Sequence, residues 1–452
     1  MIFLFYSILF LIIFQLLNSN KSIKYIIIID LSIQIMMGNI NEYFNLILPP
    51  PDISTLIIFI NFLLFSLKKE RTYFFNYTWV DKILLLYLLF VLLIPGLVNL
   101  SVFGIPLNYK FFIPLRYWFV YKNFYCYYNE NQLRKNKINI TKLVFSTMFY
   151  VGLISAACSL VRFFKLPALE FIEELWPVYY EKKLINMADW GRMTGTMSDT
   201  NGAGNYFCFL TIISLFELKE IKLKTIIFPF IFGVSVILTG SFSSIAALIT
   251  VLFIFFRKRI FTKRFFFISI LVIGAFFSLQ KIEILKSAIN KRIETGYKAN
   301  NNKSLLPSNL QGRIGYWKTF SAILYNEGRL IFGLGPGGFF NYQFGKNNVI
   351  NQNAESFYFR IINESGIFAM LYVFFFFIFI FRKVRNYIPD TFHYKQLFLL
   401  MLISYLVSGV ANETLYYGSN ASLFGIILCM IYVSTKIIKQ INIPEKSKLQ
   451  VA

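Results

Sequence analysis

Apolar runs long enough to cross a lipid bilayer recur along almost the whole chain, and they constrain its fold more than any other feature. We count about thirteen, of roughly 17–25 residues each where the run is clean. A backbone inside a bilayer must satisfy its own hydrogen bonds, so each run is predicted to be an α-helix. The composition agrees, because 57% hydrophobic residues and a mean hydropathy of +0.59 exceed what soluble cores absorb. The chain is therefore predicted to be all-α and polytopic.

The predicted spans are 2–18, 23–37, 53–67, 83–101, 111–128, 143–163, 204–218, 225–239, 242–256, 264–279, 358–381, 396–411 and 420–435. Asp30 lies in the middle of the second run, so that segment is either a span or an interfacial or re-entrant piece. The first run has neither a basic leading segment nor a small-residue cleavage site, so we expect it to stay as an anchor.

Lysine and arginine clusters fall in alternate loops, and cytoplasmic loops keep an excess of these residues. The clusters at 68–71, 134–137, 222–224, 257–264 and 382–385 and the C-terminal tail are therefore predicted to be cytoplasmic. The opposite side receives 38–52, a first extracytoplasmic loop at 164–203 and a large one at 280–355. We expect one transmembrane domain, 1–452, that carries these loops.

The formal net charge of +23 is explained by this topology. Because the basic residues are scattered among short loops, we predict no nucleic-acid partner. No acidic cluster in the outer loops is typical of a divalent-metal site, so neither a metal nor another cofactor is expected. The cysteines lie in or beside apolar runs without paired spacing and are expected to be core residues: Cys126, Cys158, Cys208 and Cys429.

Arg116, in the run FFIPLRYWFVYK, is the clearest intramembrane charge. A charged side chain at such a depth usually faces a cavity or a partner. Arg116 either serves a polar cavity, pairs with a buried acid, or reaches towards Lys122 and the cytoplasmic edge. The residue alone leaves these alternatives open.

A second polar segment, ADWGRMTGTMSDTNGAGNYF, leads from the first loop into a span. Arg192, exposed backbone amides beside Asp199 and Asn201, and a helix N-terminus together form the parts of an anion site. The same residues also suit ordinary N-capping of the following helix.

The large loop changes character along its length. Its first half reads as a charged amphipathic helix outside the membrane. In its second half Arg313, Trp317 and Phe320 share one helix face, beside Tyr316. Packing explains the aromatic residues, whereas it does not require the arginine.

A glycine-rich segment, Gly-Leu-Gly-Pro-Gly-Gly, follows from Gly333 and includes Gly335 and Gly337. It follows no predicted strand, so it is not a dinucleotide loop. We predict a rigid elbow where backbone or substrate approaches closely. Glu355 then lies at the outer mouth of the next span, with Arg360 further along it; it is placed either to cap the helix or to act as a general base.

Taken in order, these pieces resemble the bacterial O-antigen polymerase and O-antigen ligase superfamily of polytopic, GT-C-like glycosyltransferases. The shared pattern is an intramembrane arginine, R-x-(S/T)-G with Asp-x-Asn, an outer loop with R-x-x-x-W and G-x-G-P-G-x-F, an acidic or histidine element, and E-x-G. It falls here on Arg116, Arg192 to Gly195 with Asp199 and Asn201, Arg313 to Trp317, Gly333 to Phe339, Glu355, and Glu364 to Gly366. The resemblance covers roughly 110–380.

The resemblance implies a glycan transfer from one undecaprenyl-diphosphate-linked oligosaccharide to another, with Arg192, Arg313 and Arg116 on the diphosphate and Glu355 on the acceptor hydroxyl. Ligases carry a histidine where this chain has Glu355, and His393 falls in a predicted cytoplasmic loop, so polymerase is favoured over ligase. The implied partners are the lipid-linked donor and acceptor, membrane lipids and a chain-length-regulating co-polymerase. A flippase for lipid-linked oligosaccharides is the rival from another class.

Overall fold

The computed structural model describes residues 2–19, 23–36, 50–68, 75–103, 113–135, 138–163, 179–180, 183–184, 193–197, 200–217, 224–257, 308–335, 356–389, 394–412 and 418–441. Its helices are α1 (Ile2–Asn18), α2 (Ile23–Met36), α3 (Pro50–Lys68), α4 (Trp79–Leu88), a π-helix (Leu89–Leu93), α5 (Ile94–Phe103), α6 (Ile113–Leu133), α7 (Ile140–Phe163), α8 (Thr200–Glu217), α9 (Lys224–Leu238), α10 (Phe242–Phe256), α11 (Ser308–Asn326), α12 (Phe357–Tyr387), α13 (Tyr394–Gly409) and α14 (Gly418–Ile441). An antiparallel pair of two-residue strands, β1 (Tyr179–Tyr180) and β2 (Lys183–Leu184), sets Tyr179 opposite Leu184.

The regular secondary structure of the described chain is helical apart from that strand pair, as expected for a helical membrane protein. Each predicted run overlaps a helix, except 264–279, which lies outside the described residues. Four described segments are long and apolar enough to cross a membrane: Trp79–Asn99, Ile140–Val161, Phe357–Tyr387 and Asn420–Ile438. The class is confirmed to this extent, and the count of about thirteen spans stays a prediction.

The helix α14 forms the centre of the bundle. Its residues from Asn420 to Ile431 are buried all round, as expected of a mostly apolar helix at the centre of a bundle. It packs most closely on α6 at Gly425, where a Cβ would lie 2.7 Å from the carbonyl oxygen of Tyr117. Small residues allow such close helix contacts in lipid. By contrast, α12 exposes an apolar stripe that suits lipid: Phe368, Leu371, Phe374, Phe375 and Ile378.

Asp30 is accommodated inside α2, which is a continuous helix of 14 residues. The carboxylate is buried and accepts hydrogen bonds from Gln34 Nε2 at 3.3 Å and from Tyr127 OH at 3.2 Å. An acid within an apolar run is tolerated here because its polar partners lie on the same inward face.

The helix α6 fixes two ends of the bundle. Arg116 lies in its first turn, whereas Arg134 follows its last turn and donates to the carbonyl oxygens of Leu17 and Ser19 at the end of α1. At about 1.5 Å per residue the two arginines are about 27 Å apart along the helix. We call the end with Arg116 the site end and the other the opposite end. The helices α3, α6, α12 and α14 begin at the site end, and α2 and α13 finish there.

Candidate functional site

Arg116 is the centre of a buried polar cluster at the site end. Its guanidinium donates to Ser422 Oγ at 2.9 Å through Nε and to Gln34 Oε1 at 3.0 Å through one terminal nitrogen. The other terminal nitrogen forms an ion pair with Asp52 at 2.8 Å. Of the alternatives for Arg116, the structure shows pairing with an acid, and the guanidinium lies at the far end of α6 from Arg134. The sequence underestimated that separation because α6 extends to Leu133.

Several backbone elements converge on this cluster. The helices α3, α6 and α14 all begin near it, and the positive ends of their dipoles add to the charge of Arg116. Residues 193–197 of the predicted first extracytoplasmic loop pack alongside, because Thr196 Oγ1 donates to the carbonyl oxygen of Ile35 at 3.5 Å. Thr196 N–H and Oγ1 also bond Ser155 Oγ at 3.0 and 3.1 Å. Part of the predicted anion segment, at Thr196, therefore contacts Ile35, which directly follows Gln34 in α2.

Arg313 joins the large loop to the bundle. It lies on α11, and one of its terminal nitrogens donates to the carbonyl oxygen of Ala411 at 3.0 Å. The backbone carbonyl oxygen of the next residue, Asn412, accepts a hydrogen bond from the N–H of Phe357 at 3.0 Å. This bond joins the same turn to the start of α12. Trp317 stacks on Phe359 with ring centroids 4.9 Å apart. The predicted shared face of α11 thus packs on α12, with Arg313 at its site-end edge.

The glycine-rich elbow fastens to a break in α12. Leu334 N–H donates to Asn363 O at 2.7 Å, and Gly335 N–H donates to Glu364 O at 2.9 Å. At Gly366 the helix has φ +81°, which a side chain rarely adopts. A Cβ on Gly333 would lie 2.5 Å from the backbone carbon of Glu364. The predicted close backbone approach is confirmed for this part of the elbow.

Gly366→Ala is expected to lower the free energy of unfolding by about 1–3 kcal/mol, because the new Cβ would meet Ile331 O at 2.0 Å in a strained conformation. Thermal unfolding and protease sensitivity of the elbow would measure the effect. Gly315→Ala is the matched control, since a Cβ there meets nothing within 4 Å. Equal unfolding temperatures for Gly366→Ala and wild type would contradict this interpretation of the elbow.

Arg360 lies in the first turn of α12, between its start and the break at Gly366, and is buried. Its Nε lies 3.2 Å from Glu364 Oε1, one turn further along the helix. Ser365 Oγ donates to the carbonyl oxygen of Val91 at 2.7 Å. Val91 lies in the π-helix, where the backbone departs from regular α-helical hydrogen bonding. Two interrupted helices therefore pack together beside this ion pair. Non-helical backbone at membrane depth is tolerated when it is buried in protein.

The other predicted site residues are only partly described. Asn201 lies in the first turn of α8, where its carbonyl oxygen accepts from Ser244 Oγ at 3.5 Å, so this segment does begin a helix. Tyr316 lies on α11, although its side chain is outside the described part. Ser356 is the N-cap residue of α12. Capping, one of the two roles considered for Glu355, is therefore performed here by the residue that follows it. Four predicted residues lie outside the described residues: Arg192, Asp199, Gly337 and Glu355.

The sequence did not single out the polar partners that the structure adds. Gln34, Asp52 and Ser422 surround Arg116, and Arg329 donates to Asn99 Oδ1 beside the elbow. The available signal was weak: a polar residue at the end or start of an apolar run. Such residues are also common as helix caps, so their position alone does not distinguish them.

Chemically, the site end is suited to an anion. The cations buried or half-buried there include the arginines Arg116, Arg313 and Arg360, whose planar donors match phosphate oxygens in pairs. Within the part of the chain that the structure describes, no group of three His, Cys, Asp or Glu residues is placed to hold a metal ion. No protein-family model matches this chain. A search of curated proteins finds no match either.

Proposed function

We propose that this protein is a polysaccharide polymerase that joins undecaprenyl-diphosphate-linked repeat units into O-antigen, capsule or exopolysaccharide. The observation that carries the proposal is that Arg116, Arg313 and Arg360 each lie towards the site end of an apolar helix bundle. A lipid-linked diphosphate needs cations at the membrane boundary, because negative charge grows on it as the glycan leaves. The resemblance of the motifs supports the same reaction.

In this proposal the arginines grip the departing diphosphate, with Arg192 and Arg313 as the principal groups and Arg116 assisting. Glu355 orients or deprotonates the acceptor hydroxyl as a general base. It precedes Ser356, whose hydroxyl accepts from Phe359 N–H at 3.4 Å and donates to Gly409 O at 3.4 Å. Ser356 therefore holds the start of α12 against the turn that also binds Arg313.

Around this centre, Asp199, Asn201 and Arg360 are assigned to binding the donor or acceptor. Trp317 and Tyr316 are proposed to contact the sugar rings. Gly335 and Gly337 leave room for the substrate at the elbow. These assignments follow the resemblance, and the packing of Trp317 on Phe359 gives that ring a structural role as well.

We place the protein in the bacterial inner membrane, with its active site facing the periplasm or cell exterior. The distribution of basic residues supports this orientation, because those next to the opposite end are numerous: Lys24, Lys68, Arg134, Lys135, Lys142, Arg257, Arg382, Lys383, Arg385 and Lys395. A side rich in lysine and arginine is normally cytoplasmic. The arginines of the site end then face outward, where lipid-linked repeat units are polymerised.

A strain deleted for this protein tests the proposal when its surface polysaccharide and lipid-linked intermediates are separated on a gel. The intact chain is expected to restore a ladder, and Glu355→Gln is expected to slow elongation by about a hundredfold because a general base is lost. Full-length polymer from Glu355→Gln would remove that residue from the mechanism. Unchanged polymer on undecaprenyl diphosphate in the deletion strain would indicate a ligase instead.

A flippase is the second candidate. The observation that favours it is the chain of polar groups that leads to Arg116. Asp30 is linked through Gln34 to Arg116 and then to Asp52, which forms a chain of polar groups from mid-helix to the site end. Intramembrane acids of this kind occur along transport pathways. Lipid-linked repeat units that accumulate facing the cytoplasm in the deletion strain would support the flippase over the polymerase.

A further inference from the structure

The guanidinium of Arg116 is oriented by neutral groups. Among the described residues it forms a direct ion pair with the carboxylate of Asp52, while Asp30 is linked to it through Gln34. Ser422 Oγ and Gln34 Oε1 each accept from the guanidinium, and they bond each other at 2.7 Å. Gln34 is fixed in turn by donating to Thr55 Oγ1 at 2.6 Å. The arginine would therefore keep its orientation if Asp52 moved away.

Asp52 is the partner that can move. Its side chain is 25% exposed, whereas that of Arg116 is 4% exposed, so the ion pair reaches the surface through the acid. The carboxylate lies in the first turn of α3, where the helix N-terminus stabilises negative charge with or without the arginine. Release of Asp52 therefore exposes the arginine while the released acid keeps a favourable position.

A phosphate is well suited to take its place. Arg116 lies in the first turn of α6, so a phosphate would meet a guanidinium and a helix N-terminus together. We propose that Asp52 occupies the position of one phosphate group of a diphosphate ligand, and that binding exchanges the carboxylate for that phosphate on Arg116. The inference rests on the proposed function for the identity of the lipid, and it assigns Gln34 and Ser422 as positioning residues.

The exchange is tested by thermal unfolding of the full-length purified chain with two probes, inorganic pyrophosphate and farnesyl diphosphate. Asp52→Asn is expected to bind at least one probe about tenfold more tightly than wild type, because the competing charge is gone. Arg116→Gln is expected to abolish binding in both backgrounds. A response to both probes identifies the diphosphate as the recognised group, and a response to farnesyl diphosphate alone adds the lipid chain.

Glu130→Gln is the matched control, because Glu130 forms a 3.0 Å ion pair with Arg134 at the other end of the same helix. This variant is expected to bind both probes as wild type does. Equal affinity in wild type and Asp52→Asn, or no binding by either, overturns the exchange. If Asp52→Asn yields no folded protein alone, it is extracted with farnesyl diphosphate: recovery supports the exchange, and failure shows a purely structural ion pair.

The binding readout needs no glycan, so it separates this inference from the proposed function. Tighter binding by Asp52→Asn without any polymer from the intact chain would retain the exchange and reject the polymerase. Polymer synthesis by the intact chain, with unchanged diphosphate affinity in Asp52→Asn, would retain the polymerase and reject the exchange.

Discussion

Arg313→Ala is expected to lower the rate of repeat-unit polymerisation by about 10²–10³-fold, the loss typical of removing one donor to a developing negative charge. Arg313 is partly buried at the junction of α11, the start of α12 and the turn at Ala411. In that position Arg313 is a described cation of the large loop that reaches the bundle, as Arg329 is where it donates to Asn99. The measurement is the rate at which the polysaccharide ladder grows in a deletion strain that carries the variant.

Lys318→Ala is the matched control, since Lys318 is an exposed cation on the same helix. It is expected to polymerise at the wild-type rate. Arg313→Lys keeps the charge but loses the planar pair of donors, so it should fall between wild type and alanine. If Arg313→Ala instead lowered the unfolding temperature while leaving the rate per folded molecule unchanged, Arg313 would be a structural link only.

Asp81→Ala is expected to lower the free energy of unfolding by about 3–5 kcal/mol, the cost of breaking a buried ion pair from one side. Asp81 is fully buried and lies 3.0 Å from Lys122 Nζ, which is itself buried on α6. Its carboxylate also accepts from Trp118 Nε1 at 2.9 Å and from Thr78 N–H at 2.8 Å. Thermal unfolding of the purified protein in a membrane mimetic measures the change.

A double variant that combines Asp81→Ala with Lys122→Met is compared with Asp81→Ala alone. Lys122→Met removes the buried charge that the alanine leaves behind, so the double variant should recover part of the lost stability. Thr78 and Asp81 also form a capping box at the start of α4, and this part of the loss should remain. A single variant as stable as wild type would show that the ion pair contributes little.

The helices were largely predictable because their signal is local. The run 358–381 lies within α12, and the face with Arg313, Trp317 and Phe320 lies on α11. The elbow was predictable for a similar reason, since repeated glycines mark close backbone approach. The break at Gly366 was harder to foresee, because an isolated glycine in an apolar run usually continues the helix.

The site was less predictable than the helices. Arg116 was identified as an unusual charge, but its partners Gln34 and Ser422 lie 82 and 306 residues away in the sequence. Asp52 could equally have been an ordinary first-turn acid of α3. Nothing local to these residues indicates that they meet at one guanidinium.

The sequence by itself determined that this chain is a helical membrane protein, where most of its helices lie and which residues are candidates for an anion site. Hydrophobic runs and turn residues carry that information within a few turns of chain. Only the tertiary structure decided that Arg116 pairs with Asp52, that α14 is central and that the elbow binds the broken α12. The physical reason is that helix neighbours in lipid are chosen by close packing and interhelical hydrogen bonds between residues distant in sequence.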